Sequence, residues 1–166
     1  MWIKNNNKGI NVIEVVVIIA LVGAMIAIAF LSVQASEKKT RDTKRISDIS
    51  QIGRLFYKEC YRPSAGSREY DLADIIESIL DKFPEQKKYL SNDLWDPKAG
   101  SKQKSYYTYR VSSDGKHCVI YVNLEGDNET VTMPNASYPT MGGGSGVFVA
   151  QEAGVNGSKK YYQVSK

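Results

Sequence analysis

Two cysteines and one histidine are all that this chain of 166 residues has of the softer metal ligands, too few to build a four-ligand zinc site. Two cysteines also limit it to one internal disulfide. The lone His117 would need a nucleophile and a carboxylate beside it to form a catalytic triad, yet it adjoins the turn sequence Asp114-Gly115 at the start of a half-exposed strand, where a surface role suits it better. A phosphate-binding glycine loop, a nucleophile elbow and a paired acid and base are all missing. The expectation is therefore no enzyme, no cofactor and no metal. A strong charge of one sign is missing too: 22 basic against 18 acidic residues leave +4. That is not the concentrated basic face of a dedicated nucleic-acid binder, and nucleic acid enters only as a weakly supported partner.

Charge is also missing locally. From Val15 to Val33 no residue is charged, and a helix of that length spans roughly 28 Å, close to the ~30 Å hydrocarbon core of a bilayer. Before it comes a short polar and basic segment, Met1 to Gly9, with Lys4 and Lys8. The small-residue triplet Ala27-Ile28-Ala29 resembles a secretory cleavage site, but the apolar run continues beyond it. Glu14 is the anomaly, a carboxylate within the apolar segment, where an unpaired charge costs about 2.5–3.5 kcal/mol on insertion scales. If the chain were cut between Gly9 and Ile10, the new α-amino group, with a reference pKa of roughly 8, would supply a cation. In a neighbouring copy that amine could meet Glu14 and fix the stagger between helices. The simpler alternative is an interfacial glutamate favoured by the helix dipole.

The stretch Lys8-Gly9-Ile10-Asn11-Val12-Ile13-Glu14-Val15-Val16 resembles the processing motif of type IV prepilins and pseudopilins, in which a basic residue and glycine precede the cut and glutamate is fifth in the mature chain. Ile10 stands where phenylalanine is commonest and Asn11 where threonine is usual, and the apolar segment lacks the proline found in many major pilins. The resemblance implies leader cleavage between Gly9 and Ile10, N-methylation of Ile10 and an assembly role for Glu14. It also implies a prepilin peptidase, an ATP-driven assembly machine with its platform, and further copies of the chain as partners.

After Ser36 the composition turns charged, Glu37 to Arg45, with no glycine or proline to stop a helix, so one helix is expected from Ile10 to Cys60. Lys38, Lys39, Arg41, Lys44 and Arg45 cluster there, and the block reads as a solvated or membrane-proximal face. Ile46, Ile49, Ile52, Phe56 and Cys60 form an apolar stripe at spacings of three and four. Pro63 to Ser67 ends that segment. Asp71 reads as the N-cap of a second amphipathic helix carrying Leu72, Ile75, Ile76, Ile79 and Leu80 and ending before Pro84. Ser105 to Ser112 and His117 to Glu125 read as a hairpin around Asp114-Gly115. Cys118, Ile120, Val122 and Leu124 share one face of its second strand. Thr130 to Met133 is a candidate strand, and Val147 to Gln151 with Tyr161 to Val164 a last hairpin around Asn156-Gly157.

Cys60 on the helix stripe and Cys118 on the inward strand face could meet as a disulfide in an extracytoplasmic compartment; the alternative is two buried thiols. Asp127-Asn128-Glu129 lacks the spacing of a twelve-residue calcium loop. Asn128, Asn135 and Asn156 each head a glycosylation-like triplet and are placed in surface loops. Of the eleven tyrosines, several could stack on bases or sugars, although core and intersubunit packing are commoner uses.

The expected architecture is α+β, a pilin fold with a long N-terminal helix on a small antiparallel sheet. Residues 1–9 form the leader, 10–36 the transmembrane and polymerisation helix, and 37–166 the extracytoplasmic globular domain with the amphipathic half of the helix. The expected function is a structural subunit of a type IV pilus-like filament, held singly in the cytoplasmic membrane before assembly and at the cell surface afterwards. A single-pass anchored binding domain that does not polymerise is the alternative.

Overall fold

The computed structural model describes residues 11–56, 59–90, 93–126 and 129–166. The chain divides into two compact units, Met1–Glu37 and Lys38–Lys166. Helix α1, Val12–Phe56, contributes to both. Its start is capped by Asn11, whose Oδ1 accepts from Ile13 N at 3.2 Å and so satisfies one of the orphan amides of the first turn. The described helix runs to Phe56, and Cys60, expected within the helix, lies in irregular backbone. Glu14 is an exposed residue of the first turn, and Gly9 and Ile10 lie outside the described residues.

In the second unit the chain continues through β1 (Glu69–Asp71), α2 (Leu72–Lys82), a 3-10 turn at Pro84–Tyr89, β2 (Thr108–Val111), β3 (Cys118–Asn123), β4 (Gly146–Val149) and β5 (Lys160–Ser165). The five strands form one sheet in the order β1-β2-β3-β5-β4, with every pair antiparallel. The fold is thus α+β, as the sequence indicates. Asp71 caps α2, its Oδ1 accepting from Ala73 N at 2.9 Å. Gly115 takes the positive φ of 72° that the β2–β3 turn requires, and Ser112 N donates to His117 O at 2.9 Å across it.

One core joins Ile49, Ile52, Leu55 and Phe56 of α1, Leu72, Ile75 and Ile79 of α2, and the sheet residues Tyr109, Val111, Cys118, Ile120 and Val122. Each buried aliphatic or aromatic side chain contributes about 1.5–3 kcal/mol over an exposed one, and the rings of Phe56 and Tyr109 meet at 4.7 Å between centroids. Gly53 permits the close approach of α1 to β5, because a Cβ there would strike the side chain of Val164. Cys60 and Cys118 form a disulfide with Cα atoms 5.9 Å apart.

The opposite sheet face is partly covered as well. Val119, Asn123, Phe148 and Gln163 are all buried, although Val119 and Asn123 alternate with the core positions of β3. The segment before β4 covers Gln163, whose Oε1 accepts from Thr140 N at 2.9 Å and whose Nε2 donates to Thr140 O and Gly144 O. Thr130 to Met133 is not a strand. Thr132 N and Met133 N instead donate to Val147 O, and Val147 N donates to Thr132 Oγ1, so this segment pairs with the edge of β4 without strand geometry.

Candidate functional site

Two features of the chain stand apart from its apolar core. The first is the N-terminal half of α1. Its 18-residue apolar window has a mean hydropathy of 3.0 and none of it is buried. Ile19, Leu21, Met25, Ile28 and Leu31 each expose 60% or more of their surface. A cluster of this size and exposure marks an interaction or membrane surface. The segment is long and apolar enough to cross a bilayer. Gly23 sits within it with nothing inside 4 Å of a built Cβ. Glu14 opens the helix on the same stretch and faces solvent.

The second is a buried ionic cluster in the second unit. The block from Glu37 to Arg45 is not a solvated face throughout: Arg45 is fully buried and Asp42 and Asp48 nearly so. Arg45 forks onto Asp96, Nε to Oδ2 at 2.7 Å and Nη2 to Oδ1 at 2.9 Å. Its Nη1 reaches Asp42 Oδ1 and Glu125 Oε1, both at 2.8 Å. Arg41 forks onto Glu125 at 2.7 and 2.9 Å. Lys44 bonds Asp48 at 2.6 Å, and Lys98 stands 3.5 Å from Glu125. Four cations thus face four carboxylates, and the set carries no net charge.

Backbone amides complete the carboxylate shells. Asp42 accepts from Glu125 N and Gly126 N, both at 2.8 Å. Asp96 accepts from Lys98 N and Ala99 N at 2.9 Å and from Asn156 Nδ2 at 2.7 Å. Burial alone would raise the Asp96 carboxyl, but its bonds from Arg45, Ala99 N and Asn156 outweigh burial and hold it at about 2. Glu125 is likewise brought to about 2 against its burial by Arg41 and Arg45. These acids remain ionised across the physiological range, which suits a fastening better than a proton carrier. Tyr107 donates to Asp48 Oδ2 at 2.8 Å, and burial together with the Asp48 charge pushes its phenol far up.

The remaining candidates resolve individually. His117 is exposed. Asn156 is not a surface acceptor: it is 7% exposed and its amide is held by Asp96 and Asn123 O. Asn135 is exposed, whereas Asp127 and Asn128 lie outside the described residues. Among the described residues no group of three or more His, Cys, Asp or Glu side chains could hold a metal ion.

No family model, curated protein or solved structure matches this chain. The exposed apolar N-terminal helix, the antiparallel sheet and the disulfide are compatible with a pilin-like protein.

The ionic cluster was the feature least visible in the sequence. Arg45 finds Asp96 51 positions away, and Asp42 meets the backbone of Glu125 83 positions away. The local signals are Asp42, three residues before Arg45 on the same helix and paired with it, and the i,i+4 pair Lys44–Asp48.

Proposed function

We propose that this chain is a structural subunit of a type IV pilus-like filament, anchored singly in the cytoplasmic membrane before assembly and carried to the cell surface within the polymer. The observation that supports this most is the wholly exposed apolar half of α1. It needs a nonaqueous cover, and lipid before assembly and the helices of other copies afterwards both supply one. The β-branched run Val15 to Ile19 has modest helix propensity in water, but lipid leaves the backbone no other hydrogen-bonding partners.

In this reading a prepilin peptidase removes residues 1–9 and methylates Ile10. The freed amine of one copy then pairs with Glu14 of another, compensating two desolvated charges and setting the axial register. Extraction from the membrane is driven by an ATP-dependent assembly machine, and the chain itself performs no catalysis. Adhesion, motility, DNA uptake and secretion are all tasks such a filament can serve.

The test is intact-mass and N-terminal peptide mass spectrometry of protein sheared from the cell surface. The expected species begins at N-methylated Ile10. A chain recovered only from membranes with Met1 to Gly9 attached would overturn the reading in favour of an anchored, non-polymerising binding domain.

A further inference from the structure

The outer sheet face contains a cleft apart from the ionic cluster, lined partly by the core residues Tyr70 and Val122. Tyr121 pairs with Thr108 and Gln163, and Asn123 with Tyr161. Strand alternation therefore places Tyr121 and Tyr161 together on the face opposite Ile120 and Val122. Their ring centroids are 6.3 Å apart, and Tyr161 is steadied by stacking on Phe148 at 5.7 Å. Beside them opens a cleft of about 380 Å³, with Glu69, Lys104 and Tyr106 also in its lining. A second hollow of about 490 Å³ shares Tyr121 and Tyr161 as lining.

Tyr106 is built into this cleft against a conformational cost. It is the one non-glycine residue with positive φ among the described residues, at 58°, a geometry costing roughly 1–2 kcal/mol for a side chain with a Cβ. Asp71 maintains it. Asp71 Oδ2 accepts from Tyr106 N at 3.0 Å, while Oδ1 accepts from Ser105 N and Ser105 Oγ. The Lys104 ammonium lies 4.7 Å from the centroid of the Tyr106 ring. Strain of this kind persists where surrounding bonds enforce it, and it clusters at ligand sites.

The electrostatics narrow the ligand. Glu69 and Asp71 against Lys104 give the cleft no positive funnel, which single-stranded nucleic acid would require. Asp71 is committed to Ser105 and the Tyr106 backbone, which leaves Glu69 as the one other carboxylate of the lining, alongside Lys104, too few oxygen ligands for a dedicated cation site. What remains is a set of aromatic faces edged by hydroxyls, one carboxylate and one ammonium. That combination matches a ring with an apolar face and a hydroxylated rim.

We propose that this cleft binds neutral carbohydrate, with the rings of Tyr106 and Tyr161 as stacking surfaces and Glu69, Tyr121 and Lys104 as hydrogen-bonding groups for sugar hydroxyls. The adjoining hollow extends the site to more than one sugar unit. The assignment does not depend on filament formation, because every group belongs to the second unit.

The test uses the full, unassembled chain in lauryldimethylamine oxide micelles, whose headgroup carries no sugar. Cellohexaose and chitohexaose are titrated by calorimetry, with oligothymidylate as the anionic probe. Saturable millimolar binding of a hexasaccharide is expected, weakened about tenfold by Tyr106→Gly and by Tyr161→Ala. Tyr106→Gly also relieves the positive φ, and its thermal unfolding should match or exceed that of the parent. The proposal is overturned if neither hexasaccharide binds, if oligothymidylate binds in their place, or if Tyr106→Gly leaves sugar affinity unchanged.

Discussion

Replacing Arg45 by methionine keeps a flexible unbranched stem, shorter than arginine, and removes the cation shared by Asp42, Asp96 and Glu125. The loss is not total. Asp42 retains two backbone amides, Asp96 retains two amides and Asn156, and Glu125 retains the Arg41 fork. Three buried carboxylates nevertheless lose their common partner, and removing one side of a buried ion pair costs about 3–5 kcal/mol. For a domain of ordinary stability, about 5–15 kcal/mol, that brings the fold near its margin. Arg45→Lys should fall between the two, since it restores charge without the bidentate fork. Urea unfolding of the full chain in detergent, followed by near-ultraviolet circular dichroism, measures the differences. The pH dependence gives a second readout. In the parent, Asp96 and Glu125 sit at about 2, below the ordinary carboxylate value of roughly 4. The unfolded chain therefore binds protons first, and stability is lost as pH falls from about 4 towards about 2. Without Arg45, burial works against the charged carboxylates, so Arg45→Met should recover stability as pH falls from neutrality towards about 5. A cost below about 1 kcal/mol at neutral pH, the range of an exposed pair, or parallel pH profiles in the two proteins, would refute the reasoning.

Glu14→Ala should leave leader cleavage and membrane insertion intact while filament yield, counted by electron microscopy of sheared fractions, falls strongly; normal yield would remove the charge-pair account. Converting both Cys60 and Cys118 to serine opens a loop with a sequence separation of 58 and should lower unfolding free energy by about 4 kcal/mol on the chain-entropy estimate, read by denaturant titration. Gly53→Ala places a methyl against Val164 and should cost about 1–3 kcal/mol through overpacking, visible as a lowered unfolding midpoint.

Periodicity and turn chemistry carried much of the fold. The stripe Ile49, Ile52 and Phe56, the Asp71 cap and the Asp114-Gly115 turn depend on neighbours within a few positions, and local rules reach that far; the pairing of the last two strands was legible from their apolar composition and the Asn156-Gly157 turn signal between them. The three-residue β1 was not legible, because so short a strand has no period of its own and exists through its bonds to β2. The burial of Arg45 was not legible either: charge runs are usually solvated, and two of the three acids paired with Arg45, Asp96 and Glu125, come from loops far along the chain. For the exposed apolar half of α1, the absence of charge from Val15 to Val33 was sufficient to locate it. The Tyr106 cleft needed coordinates, since nothing in Ser105-Tyr106-Tyr107 marks its second residue as left-handed.

The strand order imposes a timetable on folding. β5 is made last among the strands, yet it lies between β3 and β4, so β4 has no sheet to join until residues 160–165 have emerged. Until then the pairing side of β3 that will receive β5 stays open, and Gln163 has not arrived to fasten Thr140 and Gly144. The helices and the β2–β3 hairpin can form during synthesis, but closure of the sheet is a single late event. An early stop that removes only these few residues would therefore separate the sheet into two pieces instead of shortening its edge.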